Sequence, residues 1–263
     1  MCFFISNLVN TSLARLLFES SSNTKPKILL LQGPLGAGKT FFVKEILKKA
    51  NVGFVNLDEK LEDLINSDED LRSRGITVQN AFSGRQPPDV DATLKRYRDD
   101  SRKHAKGLQR GFESERRSFV IEGTGQRRYR DEIEFCKANG YELLYLSVYA
   151  PKELSLDTTR KRGESGGRMF SSYLIGNTLD GYLEHYSELK QWFLNESVCT
   201  YYETTSLLEV TEENGEKVLR YPASLGLGDK SIPVSSLSYQ ERKVVDSIRK
   251  SREQIKSELE GLF

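Results

Sequence analysis

The sequence predicts a three-layer α/β domain, with a parallel sheet of about five strands between two layers of helices and a C-terminal hairpin and helix appended. Three observations carry this expectation. KILLLQ, SFVIEGTG and YELLYLSVYA are short apolar runs without the alternation of a half-exposed strand, the pattern of strands buried on both faces. Stretches of helical character separate them, so strand and helix alternate. The last third breaks that rhythm with two strand-like runs around Asn214-Gly215, a strong hairpin signal.

The start, MCFFISNLVNTSLARLLFES, reads as an amphipathic helix with Leu8, Leu13, Leu16 and Leu17 on one side. It has no basic n-region, and Asn10 and Arg15 interrupt its apolar run, so it is not read as a signal peptide. The polar linker SSSNTKPK follows, then the strand KILLLQ, a glycine-rich turn and the helix FFVKEILKKA. NVGFVNL is a second strand and DEKLEDLINSDEDLRSRG a charged helix. Residues 76–94 are read as a turn-rich, substrate-side loop, and 92–117 as a long basic surface helix. SFVIEGTG is the third strand, and RDEIEFCKANG a helix closed by Gly140. YELLYLSVYA is the fourth strand. PKELSLDTTRKR is a helix with Pro151 in its first turn, and GESGGR a flexible lid. Residues 171–195 form one helix or a pair, and VCTYYETTS the fifth strand. After the hairpin, PASLGLGDKSIPVSS is loop, and 239–260 a charged helix with the thin stripe Val244, Val245, Ile248, Ile255 and Leu259. The expected organisation is therefore an N-terminal helix and linker over 1–24, a core domain over 25–205 and an extension over 206–263.

Composition narrows the function. The chain has 263 residues, 39 Lys plus Arg against 38 Asp plus Glu, and a net charge of +1. That balance excludes a polybasic or an acidic solvating protein. A 37% hydrophobic share excludes a multi-span membrane protein, and no membrane partner is expected. Cys2, Cys136 and Cys199 lie far apart, and His104 and His185 are the only histidines, so neither a structural zinc site nor a disulfide framework is expected. This usage suits a reducing cytoplasm.

Gly33-Pro34-Leu35-Gly36-Ala37-Gly38-Lys39-Thr40 fits GxxxxGK[ST] at every fixed position. Glycines let backbone N–H groups wrap a phosphate without Cβ obstruction, and the following helix aims its positive end at the same anion. Lys39 is expected to reach the outer phosphates and Thr40 to ligate magnesium. The strand before the motif and the helix after it supply the context that the motif requires. Gly123-Thr124-Gly125 lacks the third glycine of a dinucleotide fingerprint.

The sequence contains no NKxD-type specificity motif, and the chain is short for a motor ATPase, which leaves a small kinase. Such chemistry needs a base, metal-holding carboxylates and cations on the moving phosphate. Asp58, at the end of the second strand, is the candidate base; the same position suits a helix N-cap. Glu122, ending the third strand, is a candidate metal or substrate ligand, or a solvated strand end. Arg160, Arg162 and Arg168 are candidate lid cations, with the surface as the ordinary place for an arginine.

The run FVIEGTGQRRYRDEIEFCKANGYELLYLSVYAPKELSLDTTRKRGESGGRMF resembles P-loop kinases of the zeta-toxin and polynucleotide-kinase-like group. The shared features are the phosphate loop, an Asp after the second strand, a "DGTG"-like strand end, a "GY" before the fourth strand and an "R…GGR" lid. The resemblance covers about residues 26–205. It implies the P-loop kinase fold, with Asp58 as base, Lys39 and Thr40 on ATP and Mg2+, and Arg168 in the lid. Glu122 stands where the group usually has Asp, and the lid continues as GGRMF.

Three acceptor hypotheses follow. One is a hydroxyl of a nucleic acid or nucleotide, such as a polynucleotide end or, as in phage enzymes of this broad class, a hydroxymethylated pyrimidine in DNA within the host cytoplasm. The second is a UDP-sugar such as UDP-N-acetylglucosamine, as in zeta toxins. The third is a nucleotide-binding regulatory or interaction module with little turnover. Local charge bears on the first. Residues 95–130 hold twelve Lys or Arg against five Asp or Glu, a local +7 beside −6 for the remainder. With Tyr97, Phe112 and Tyr129 interleaved, this segment is a candidate phosphate-backbone track; Asp99, Asp100, Glu113 and Glu115 also fit a salt-bridged, solvated helix.

Overall fold

The computed structural model describes residues 25–39, 52–205, 209–221 and 231–260. The expected N-terminal helix, the helix FFVKEILKKA and Thr40 lie outside the described residues, as do all of PASLGLGDK and the side chains of Ile255 and Leu259.

Five strands form the parallel sheet: β1 (Lys27–Gln32), β2 (Gly53–Val55), β3 (Phe119–Gly123), β4 (Glu142–Val148) and β5 (Cys199–Thr204). Their order is β2-β3-β1-β4-β5. The chain leaves β1 to build one side of the sheet and returns past it to build the other. That reversal leaves a crevice beyond the carboxyl end of β1, the usual ligand site of an open α/β sheet.

Side-chain alternation along the strands makes two cores. Leu29 and Leu31, Val120, and Leu144, Leu146 and Val148 point to one face. Ile28 and Leu30, Phe119 and Ile121, and Leu143 and Tyr145 point to the other. Residues 28–31 are completely buried, as a central strand covered on both sides requires. The second face is covered by α4 (Arg130–Asn139) through Ile133 and Cys136, and by Ala105 and Phe112 of α3 (Pro88–Ser114).

Among the described residues the first face is covered by Leu154, Leu179, Tyr182 and Tyr186 of the main domain and by the C-terminal extension. Asn214 at φ 51° and Gly215 at φ 78° supply the two positive-φ turn residues of the expected hairpin, β6 (Glu209–Glu213) and β7 (Glu216–Arg220). The segment expected to be loop contributes a third strand, β8 (Ser231–Pro233), with Leu219 opposite Ile232. Ile232 is buried between exposed neighbours, an alternation too short to read in isolation. Leu219, Tyr221, Ile232 and Val234 join the core of β1 and β4, with Val244, Val245 and Ile248 of α7 (Tyr239–Glu260). The extension thus shares the core of the main domain.

Other elements differ from expectation in detail. The charged stretch after β2 is two helices, α1 (Leu57–Ser67) and α2 (Glu69–Ser73). Asp68 divides them: it has extended backbone, accepts from Leu71 N at 3.0 Å, and receives the Tyr97 hydroxyl at 2.5 Å. The basic helix α3 begins at Pro88 inside the expected loop, where proline is favoured in a first helical turn. The helix α5 (Lys152–Glu164) has Pro151 as its N-cap and continues into the expected lid; α6 (Ser172–Leu194) is one helix capped by Ser171. Helices α1–α3 and the turns at 77–84 make a third small core, Leu61, Ile65, Leu71, Val78, Phe82, Val90 and Leu94, against which Phe170 packs. This inserted module connects the carboxyl end of β2 to the start of β3, and its long helix packs on β2.

Candidate active site

The glycine-rich loop begins where β1 ends. Close packing explains its glycines: a Cβ on Gly33 would stand 2.0 Å from Val148 O, and one on Gly36 2.5 Å from Ser155 O. Gly36 and Gly38 also hold φ of 76° and 82°, which L side chains resist. Two helices clamp the loop. Thr158 Oγ1 on α5 donates to Gly36 O at 2.9 Å, and Leu35 N donates to Thr178 Oγ1 on α6 at 3.4 Å.

Lys39 is buried, and its Nζ donates to Gly33 O and Pro34 O, both at 2.8 Å. Burial pulls its ammonium below the ordinary lysine value; Glu122 and Asp58 pull it back up, and Arg162 opposes them. Residues from four separate segments therefore act on one ammonium group.

Glu122 lies opposite Leu31 in the sheet register, near the carboxyl end of β3. Its Oε2 is buried and has no hydrogen-bond partner among the described residues. Burial pushes its carboxyl above the usual range; Lys39 pulls it down, Asp58 raises it, and Arg162 and Arg168 lower it. A carboxylate left this way is what a divalent cation site needs. Magnesium is commonly held by one or two carboxylates together with substrate phosphates. Among the described residues no three His, Cys, Asp or Glu cluster as a metal cage.

Asp58 occupies the second helical position of α1. The N-cap is Asn56, whose Oδ1 accepts from Asp58 N at 2.8 Å, so the Asp58 side chain is free of the capping role that its sequence position suggested. Its carboxylate instead pairs with Arg168 Nη2. Arg168 is 3% exposed and lies over the Phe170 ring at 5.3 Å. Its Nε stands 3.0 Å from Glu62 Oε1, an ion pair whose N–H is not aimed at the oxygen, so this buried donor also lacks a hydrogen bond among the described residues. Arg162 Nη2 reaches the same Glu62 oxygen at 3.3 Å.

Arg160 is placed apart. It is exposed and pairs with Asp157 and Glu164 of its own helix, and no ion pair joins it to Asp58, Glu62 or Glu122. The GESGGR segment folds as a packed turn. Gly167 N donates to Arg162 O at 2.8 Å, and a Cβ on Gly163 would meet Met169 Cγ at 2.1 Å. The turn is bonded to the inserted module, with Met169 N on Gln79 O at 3.0 Å and Ser171 N on Phe82 O at 3.2 Å.

The basic segment 95–130 presents exposed cations, but its aromatics turn inward. Phe112 stacks on Phe119 at 5.8 Å, Tyr129 is buried with its hydroxyl on Gln32 Oε1 at 2.8 Å, and the Tyr97 hydroxyl is bound to Asp68. Arg102 pairs with Asp99, and Lys103 with Asp100, along the helix.

Several residues of this site had no motif to reveal them. Gln32, completely buried, accepts from both Tyr129 and Gly125 N and so ties the turn after β3 to β1. Thr158 and Thr178 act through backbone contacts. Glu62 had a readable signal, since it falls one helical turn after Asp58 and shares its face.

A profile of the zeta toxin family matches residues 11–221. Among curated proteins no sequence matches. Among solved structures, the AvrRxo1-ORF1:AvrRxo1-ORF2 complex with sulphate ions aligns with a TM-score of 0.52 at 19% identity, covering 82% of this chain and 65% of that one. The same complex with ATP gives 0.51 at 19%, with the same coverage. The PezAT chromosomal toxin–antitoxin system of Streptococcus pneumoniae gives 0.48 at 16%, covering 76% and 77%. The chain thus spans about two thirds of the length of the AvrRxo1 chains, and at these identities the likeness is one of fold. No helix among the described residues is long and apolar enough to cross a membrane.

Proposed function

The chain belongs to the zeta toxin family of P-loop phosphotransferases, and from that premise we propose that it transfers the γ-phosphate of ATP to a hydroxyl of a small nucleotide-type acceptor, a nucleotide or a nucleotide sugar. One observation carries the reading: Asp58, Arg162 and Arg168, linked by ion pairs through Asp58 and Glu62, gather beside Lys39 and Glu122 at the carboxyl edge of β1 and β3 and act on the charge of those two groups. The group includes a buried acceptor, Glu122 Oε2, and a buried donor, Arg168 Nε, both without a hydrogen-bond partner among the described residues. A metal-bound triphosphate offers a partner to each.

In this mechanism residues 33–40 cradle the phosphates, and Lys39 exchanges its two loop carbonyls for the outer phosphate oxygens. Glu122 and Thr40 would hold Mg2+, which when bound neutralises charge between the β- and γ-phosphates. Asp58 accepts the acceptor's hydroxyl proton as the acceptor oxygen bonds to the γ-phosphorus. The bond from that phosphorus to the β–γ bridging oxygen breaks, and ADP leaves. Arg162 and Arg168 stabilise charge on the transferring phosphoryl group.

A small acceptor is favoured over a polymer because the aromatics of the basic segment are committed to the core and to Asp68, which removes the stacking platform that single-stranded nucleic acid uses. The test is a screen with γ-labelled ATP and Mg2+ against nucleotides, UDP-N-acetylglucosamine and DNA or RNA oligonucleotides, including hydroxymethylated ones. Label is expected on a nucleotide-type acceptor. Label on oligonucleotides alone would restore the polymer reading, and ATP binding without transfer to any acceptor would leave a binding module.

A further inference from the structure

Glu62 has no part in the phosphate loop, the metal site or the base, yet it is where the buried Arg168 and the exposed Arg162 meet. It lies on α1 four residues after Asp58, so both carboxylates project from one face of the helix. A single oxygen, Oε1, takes Arg162 from α5 at 3.3 Å and Arg168 from the segment beyond it at 3.0 Å. Arg168 meets the two carboxylates with two nitrogens of one planar group, Nη2 on Asp58 and Nε beside Glu62.

The backbone around Arg168 has little freedom, because Met169 N and Ser171 N are bonded to Gln79 O and Phe82 O. Movement during a catalytic cycle must then come from the side chain. For Asp58 to accept a proton, Nη2 must leave it. Once it leaves, Glu62 is the carboxylate that keeps the guanidinium of Arg168, with that of Arg162, on the acceptor side of the phosphate loop.

We propose that Glu62 is a positioning residue for phosphoryl transfer: it anchors Arg162 and Arg168 through one carboxylate oxygen, so that both guanidinium groups bear on the γ-phosphoryl when Asp58 takes the acceptor proton. This rests on the kinase reading, in which the new bond joins the acceptor oxygen to the γ-phosphorus and ADP leaves. Glu62 touches neither reactant and acts through the arginines.

The test compares Glu62→Gln and Glu62→Asp with the full-length wild type, following phosphate release from γ-labelled ATP to water and to the acceptor found by screening. Glu62→Gln is expected to lower kcat about 10- to 100-fold, the scale of a misplacement of about 1 Å, while KM for ATP changes less than about threefold. Glu62→Asp, which keeps the charge on a shorter stem, is expected to recover part of the loss. In an Arg168→Gln background, Glu62→Gln should cost less than it does in the wild type, because only Arg162 is left for it to anchor and residues acting as a unit are not additive. An unchanged kcat in Glu62→Gln, or a fully additive loss in the double variant, overturns the assignment and leaves the kinase reading standing. A wild type that binds ATP and never releases its γ-phosphate overturns both.

Discussion

The guanidinium of Arg168 is nearly completely buried against the carboxylate of Asp58, which is itself about one-third exposed. A buried cation and a carboxylate at the solvent boundary make an asymmetric pair: the carboxylate can exchange its partner for a substrate hydroxyl, whereas the cation needs an anion at all times. The ligand that frees Asp58 should therefore be one that supplies negative charge to Arg168, as a triphosphate does. Arg168→Gln is expected to lower phosphate transfer about 10²- to 10³-fold. Arg168→Lys should remain nearly as slow, because a point charge does not span Asp58 and Glu62 as a planar group does. Steady-state rates with γ-labelled ATP decide it, and an Arg168→Lys variant within threefold of wild type would refute the argument.

Lys39 makes a second prediction. Its ammonium is bound to two carbonyls of its own loop, so a nucleotide must offer something better than those bonds. Wild-type protein should be stabilised by ATP and Mg2+, by about 2.7 kcal/mol at a ligand concentration a hundred times Kd. Lys39→Ala should lose most of that gain in a thermal-shift titration while keeping a melting temperature without nucleotide close to that of wild type. An undiminished ATP shift in the variant would remove Lys39 from the nucleotide site.

How much of this was legible in the sequence depends on the range of the forces involved. The three central strands of the parallel sheet were readable because burial on both faces leaves apolar runs such as KILLLQ, and the phosphate loop because its glycines answer a local steric need. Asp58 and Glu122 were placed by the rule that strand ends face the ligand. What could not be read depended on contacts between distant segments. Asn56 takes the cap that Asp58 could have taken. Arg160 and Arg162 lie two residues apart on one helix, which points them in different directions, and only the position of α1 decides which finds Glu62. The third strand of the small sheet rests on Ile232 meeting Leu219, a pairing with no local signature.

Glu122 couples stability to activity. Burial is the largest influence on its carboxyl and raises it above the ordinary value of 4.5, despite Lys39. An acid whose pKa is raised by folding contributes stability below its unfolded value, and that contribution is lost as pH rises through the folded value. At neutral pH the charged Glu122 is thus a liability that a bound cation relieves. Glu122→Gln should melt at or above the wild-type temperature at pH 7, with the difference closing as pH falls toward 4.5, while Mg2+-dependent transfer drops about 10²-fold or more. A variant that melts well below wild type at pH 7 would mean that the pairing with Lys39 outweighs burial.

The last prediction concerns the extension. Glu203 of β5 is buried, yet both its oxygens are occupied: Oε1 accepts from Lys190 at 2.8 Å, Ser247 at 2.6 Å and Ser251 at 2.8 Å, and Oε2 from the Tyr186 hydroxyl at 2.5 Å. These donors come from α6 and α7, so one carboxylate joins the sheet edge to the C-terminal helix. Removing it takes the acceptor from the buried Tyr186 hydroxyl and from three partly buried donors, Lys190, Ser247 and Ser251. Glu203→Ala is expected to cost about 3–5 kcal/mol, which for a chain of this size lowers the melting temperature by on the order of 10 °C. Glu203→Gln keeps the shape and one acceptor oxygen and should lose less. If α7 were only an appended helix, both variants would melt within a degree or two of wild type; a large loss for Ala and a smaller one for Gln would show that the extension is held to the main domain through this buried charge.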